Sequence, residues 1–167
     1  STGSKSLTIT GAGNTQFQSG SISDGSGTLS LLKSGAGTLT LSGTNTFSGG
    51  TTLSAGTLTL DSGATLPSGG DVSISNGTLN LGASNSTVGY FSVNNGTVTG
   101  SGILAGDAFA DVSSGTSVIS VNVGAFNRFS KLGSGTLTLS GNNSYAHYYY
   151  IGGGTLALGS AYALGKQ

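Results

Sequence analysis

His147 is the only imidazole in the chain, and hydrolysis by a Ser-His-Asp set needs such a base to be held by a carboxylate. The nearest Asp in the sequence is Asp111, far upstream of it. His147 is therefore expected to be a surface imidazole rather than a catalytic base. A second set, Asp107, Asp111, Arg128 and Lys131, holds the two carboxylates that glycoside hydrolysis requires, one of which would need a raised pKa. Asp107 and Asp111 stand four apart in GDAFAD and share a face only if that strand is straight. Arg128 and Lys131 follow about one repeat later and would neighbour them on the next turn of a repeat fold. A catalytic groove normally brings more acids and aromatics than this, so surface salt bridging is the expectation and no enzyme activity is assigned.

Other chemistries lack their residues. Calcium-binding β-rolls place Asp at a fixed point of each Gly-rich nonapeptide, and five scattered Asp do not. With no Cys and one His, no transition-metal set is available. No Gly-rich stretch ends in the Lys-Ser/Thr of a phosphate loop, so these glycines read as turn residues and no cofactor is expected. Five Lys+Arg balance five Asp, which leaves no basic field for nucleic acid. No run of about 18 apolar residues is present, so no membrane-spanning helix is expected. The first residues lack the basic and apolar segments of a signal peptide, and the chain reads as a processed portion of a longer precursor.

The elements that would carry any surface group are set by a repeat. The 167 residues include 32 Gly and only 6% charged residues, yet aliphatic residues recur regularly, which argues for packed strands rather than disorder. The phrase Gly-Thr-aliphatic-x-aliphatic begins at Gly27, Gly37, Gly56, Gly77, Gly96, Gly115, Gly135 and Gly154. From Gly37 onward its step is nearly constant at about 20 residues, the mark of a repeat architecture. In GTLTL the two Leu share one face and the two Thr the other. A strand-turn unit of this size cannot bury its own apolar face, so it must stack on its neighbours. No segment keeps a helical apolar stripe, and a β-sandwich would not repeat the same five residues.

The sequence thus predicts an all-β, right-handed parallel β-helix over residues 1–167 as a single domain, with roughly 20 residues per coil and about eight coils. One inward ladder would contain Leu39, Leu58, Leu79, Val98, Leu137 and Leu156, broken at Ser117; a second would contain Leu41, Leu60, Leu81, Leu139 and Leu158, interrupted at Gly100. Further strands are expected at Thr51–Ser54 and Asp71–Ser75, and the least regular coils at about 90–129. The pairs Thr38/Thr40, Thr57/Thr59, Thr97/Thr99 and Thr136/Thr138 would project outward, but Asn80 and Ala157 spoil a flat ice-binding array. Neither end shows a capping helix, so coil-on-coil association into a fibre is an alternative.

Two units, 33–66 and 131–165, align without gaps when Lys33 is set on Lys131. They share Lys-x-Gly-x-Gly-Thr-Leu-Thr-Leu-Ser-Gly-x-Asn-Ser/Thr-aromatic. This pattern resembles the passenger-associated transport repeat of bacterial autotransporters. The resemblance implies secretion across a Gram-negative outer membrane, display at the cell surface, and repeats that help the passenger fold outside the cell. It also implies a structural or adhesive role toward a host or cell-surface glycan or protein, or toward other copies of the chain, with no insertion of this segment into a membrane. The second unit departs from the first where Ala146–Tyr150 (AHYYY) replaces Ser48–Thr52 (SGGTT). Tyr145, His147, Tyr148, Tyr149 and Tyr150, with Tyr162, form the candidate contact surface. Alternation puts Tyr148 and Tyr150 on one face and Tyr149 on the other.

Overall fold

The computed structural model describes residues 3–18, 20–124, 128–144 and 148–165, with backbone alone at 108–110. Its strands in chain order are β1 (Lys5–Ile9), β2 (Thr15–Phe17), β3 (Leu29–Lys33), β4 (Thr38–Leu41), β5 (Thr51–Leu53), β6 (Gly56–Leu60), β7 (Val72–Ser75), β8 (Gly77–Asn80) and β9 (Ser86–Asn94). They continue as β10 (Thr97–Thr99), β11 (Ile103–Asp111), β12 (Thr116–Ile119), β13 (Asn122–Gly124), β14 (Arg128–Leu132), β15 (Thr136–Leu139), β16 (Tyr148–Ile151) and β17 (Thr155–Leu158).

The coils contribute strands to two sheets. One runs β1-β3-β5-β7-β9-β11-β14-β16, with β13 paired beside β11, and the other runs β2-β4-β6-β8-β10-β12-β15-β17. All pairings are parallel. The fold is a parallel β-solenoid of about 7 turns with about 20 residues per turn. Eight stacked rungs enclose seven steps, so the expected eight coils are one more than the number of turns. The strands expected near Thr51 and Asp71 are β5 and β7.

The core lies between the two sheets. Leu39, Leu58, Leu79 and Val98 stack in register and are fully buried, while the Thr residues between them remain half-buried on the outer face. Beyond β10 the ladder departs from the one the phrase spacing predicts. Val98 pairs with Ile119 rather than Ser117, and Ile119 leads to Leu139 and Leu158. The phrase has slipped by two positions, an even number that keeps every side chain on its own face. Burial explains the slip. It continues the aliphatic ladder through Ile119, while Ser117, also buried, takes the Gly96 N–H on its hydroxyl at 3.3 Å.

β9 and β11 are nine residues each, and their register shifts between Ala105 and Asp107, where Gly106 has a φ of 140°.

Candidate functional site

Two surfaces distinguish this solenoid from a plain stack of leucines: a row of larger residues on the outside of the first sheet, and a set of polar side chains inside. On the outside, Asp71, Tyr90, Asp107, Arg128 and Tyr148 occupy successive rungs, since Val72 pairs with Phe91, Tyr90 with Asp107, Ala108 with Phe129, and Arg128 with Tyr148. Other positions of this face carry smaller polar residues such as Thr52 and Ser73. The Tyr90 phenol is pushed up chiefly by burial; Arg128 opposes the shift while Asp107 and Asp71 add to it. The Tyr90 N–H donates to Asp71 Oδ1 at 3.1 Å. Beside Tyr90 is a shallow depression of about 230 Å³ bordered by Gly49, Gly50, Thr52, Asp71 and Ser73.

At the end of this row the tyrosines divide as alternation predicts. Tyr148 and Tyr150 are 72% and 59% exposed. Tyr149 turns inward, its ring 5.8 Å from that of Phe129 and its hydroxyl donating to the Leu164 carbonyl at 2.7 Å. Tyr162, just past the last strand, is exposed. Tyr145 and His147 lie outside the described residues. Of the residues expected to form a contact surface, Tyr148 and Tyr150 therefore face outward, on the same face as the row from Asp71 to Arg128. Sequence reading missed that row because its members lie a whole coil apart in the chain, and only strand register reveals them as neighbours.

The charged set Asp107, Asp111, Arg128 and Lys131 is not one cluster. Arg128 and Asp111 are exposed, but Lys131 pairs with Ala110 and points into the core, where it is fully buried. The expectation of a surface salt bridge through Lys131 is corrected by strand parity: Phe129 faces inward, so Lys131, two positions on, does too. Among the described residues no group of three His, Cys, Asp or Glu side chains comes together to hold a metal ion. Among them also, no helix is long and apolar enough to cross a membrane.

Inside, Lys33 repeats the placement of Lys131 and is equally buried. The Lys131 ammonium donates to the carbonyls of Leu132 (2.5 Å), Gly133 (2.9 Å) and Gly153 (3.1 Å), and that of Lys33 donates to the Gly35 carbonyl. Burial lowers the pKa of both lysines, and Asp111 offsets part of the effect at Lys131. Further along each repeat, at the same distance from its lysine, stands a buried Asn. Asn45 accepts the Ile22 N–H at 3.0 Å and donates to the carbonyls of Gly43 (3.2 Å) and Thr65 (2.8 Å). Asn143 accepts the Val123 N–H at 2.8 Å and donates to the Ala163 carbonyl at 2.6 Å. Each Asn therefore joins the coil before it to the coil after it.

These lysines and asparagines are buried polar positions that the two aligned units share. The model of the passenger-associated transport repeat matches residues 31–60 and 129–148. The chain is a β-solenoid with two segments similar to the passenger-associated transport repeat. The first match contains Lys33 and Asn45, the second Lys131 and Asn143. Such repeats on a parallel solenoid fit the passenger of an autotransporter. No curated protein and no solved structure matched the chain.

Proposed function

We propose that this passenger segment is displayed at the cell surface as a rigid, non-catalytic rod that acts as an adhesive spacer. The observation that carries the reading is the pair of matched repeats within a continuous stack of coils, on whose outer face Tyr148 and Tyr150 stand clear of the surface. Exposed tyrosines offer rigid amphipathic contact area, and Asp71, Tyr90, Asp107 and Arg128 supply polar partners along the same line. A cell-surface glycan or protein is the fitting class of ligand. The separation of Lys131 from Asp107 and Arg128 supports the non-catalytic part of the reading. Neither nucleic acid nor membrane insertion of this segment enters it.

The test has two arms. Cells expressing the full precursor are treated with an external protease and probed with antibody to this segment; surface display predicts loss of the signal without lysis. Purified chain is then applied to immobilised host-cell glycans and glycoproteins. Binding is expected, and the Tyr148→Ser, Tyr150→Ser double variant should lose most of it. Equal binding by the variant would move the adhesive site elsewhere, and turnover of any polysaccharide on a panel would contradict the non-catalytic reading.

One observation favours a second reading, a self-associating fibre subunit. Ile151 and Leu158 belong to the inward rows of β16 and β17 but are 45% and 53% exposed, and these strands are the last of their sheets. An apolar face with two unpaired strand edges accepts another coil, whether a further coil of the same precursor or a second copy of the chain. Electron microscopy of purified chain distinguishes the readings: short single rods for the spacer, long polymers for the fibre.

A further inference from the structure

The two repeats bury a lysine at the same place inside the solenoid. Lys33 and Lys131, Gly35 and Gly133, and Gly56 and Gly154 are equivalent positions of the two aligned units. In both copies the lysine lies in an inward row of the first sheet, between aliphatic neighbours such as Ile9 and Leu53, or Ile151. Neither lysine exposes any surface. An ammonium in such a place costs several kcal/mol unless its three N–H groups find acceptors. At Lys131 the Gly-rich turns of its own and the next coil provide them. Lys131 has three carbonyls: two from its own coil, Leu132 and Gly133, and one from the next coil, Gly153. At Lys33 the own-coil carbonyl is that of Gly35, and the next coil closes over the ammonium at Gly56. A Cβ on Gly56 would stand 2.7 Å from Lys33 Nζ and 2.2 Å from the Gly35 oxygen. One on Gly154 would stand 2.3 Å from the Gly135 oxygen and 2.5 Å from that of Gly133. The glycines past each lysine are therefore needed for close approach as well as for their φ of 71° and 66°.

We propose that the repeat lysine is a coupling pin: its ammonium occupies a cradle of turn carbonyls that is complete only when the following coil is docked, so the two coils order and open as one unit. Before docking, the ammonium sits at an open end of the stack in water. Docking removes that water: at Lys131 it adds the Gly153 carbonyl, at Lys33 it brings Gly56 over the ammonium, and Gly at positions 56 and 154 allows the close approach. The pin works alike in an adhesin or a spacer, so it stands apart from the surface role proposed above. It gives each passenger repeat a local seam between coils that the plain Leu ladder does not supply.

The test reads lysine accessibility against backbone opening in the intact, unmutated chain. An amine-acylating reagent and mass spectrometry give the labelling rate of each lysine in rising urea below the unfolding midpoint, with exposed Lys5 as the reference. Hydrogen exchange gives the opening of the Gly152 and Thr155 amides, which donate to Lys131 and Gly135, and of Ser54 and Thr57, which donate to Lys33 and Gly37. The expected result is labelling of Lys131 at least roughly tenfold slower than Lys5, with a urea dependence matching Gly152 and Thr155; Lys33 should match Ser54 and Thr57. Labelling of either lysine while those amides stay protected would overturn the proposal. A second arm uses Gly56→Ala and Gly154→Ala. Each should speed labelling of its own lysine by about tenfold or more and leave the other near its original rate. An equal rise at both lysines in a variant that still gives the native circular dichroism spectrum would also overturn it.

Discussion

At the scale of single residues, the solenoid is held by how few polar groups are left inside without a partner. Thr51 is an exception. It sits in the inward row between Leu31 and Val72, is buried, and its hydroxyl has no hydrogen-bond partner. Replacing it with the isosteric valine removes that burden, and Thr51→Val is expected to raise stability by about 1 kcal/mol in urea unfolding. Asp24 shows the opposite case. Its carboxylate accepts the N–H groups of Ser48 (2.9 and 3.0 Å) and Leu29 (2.7 Å), and the hydrogen bonds from Ser48 and then Leu29 hold its pKa below the ordinary 3.8. A carboxyl with a lowered folded-state pKa contributes stability above its unfolded value, and that contribution is lost as pH falls through the folded value. The difference in unfolding free energy between wild type and Asp24→Asn should therefore be constant near pH 6 and shrink on acidification below 3.8.

At the scale of the element, the coil spacing rests on backbone contact. A Cβ at Gly102 would fall 1.9 Å from the Ser84 oxygen of the preceding coil, whereas one at Gly13 would meet nothing within 4 Å. Gly102→Ala should lower stability by about 2 kcal/mol or more, because the neighbouring backbone must move, and Gly13→Ala should change it by less than about 1 kcal/mol. Thermal unfolding of the two variants side by side checks the contrast. This is also the scale at which the sequence was most readable. The alternation of Leu and Thr in GTLTL, recurring once per coil, leaves little choice but a stack of parallel strands with Leu39, Leu58 and Leu79 inside. The inward lysines were legible by the same parity, since Leu31-x-Lys33 and Phe129-x-Lys131 place each lysine on the face of a buried neighbour. Its charge argued for the outside, and the carbonyl cradle that reverses that argument draws on the following coil. The Asp71–Tyr148 row and the two-position slip at Ser117 were hidden for a related reason: both depend on pairing between coils, and phrase spacing does not fix pairing where the phrase weakens to GTVTG and GTSVI.

At the scale of the whole molecule, each coil touches mainly the coils before and after it, so stability should behave as a sum of local terms. Leu58→Ala and Leu139→Ala remove buried side chains four rungs apart along one ladder. Each should cost about 2–5 kcal/mol, and the double variant should lose the sum to within about 0.5 kcal/mol if the chain still unfolds in one transition. An early transition confined to one half of the rod would show that the coils are only weakly cooperative across the irregular middle.

The central claim, that successive coils stack in parallel in this register, is tested most directly by cross-linking, since the chain has no cysteine of its own. Thr59 and Asn80 are register partners on the outer face, and Asn80 is in turn the partner of Thr99. Adjacent rungs lie about 4.8 Å apart, within disulfide reach, and alternate rungs about 9.6 Å, beyond it. Under mild oxidation the Thr59→Cys, Asn80→Cys variant should form an intramolecular disulfide in the folded state, and the Thr59→Cys, Thr99→Cys variant should not. Failure of the first pair to close, or equal closure of the second, would contradict the solenoid described for this chain.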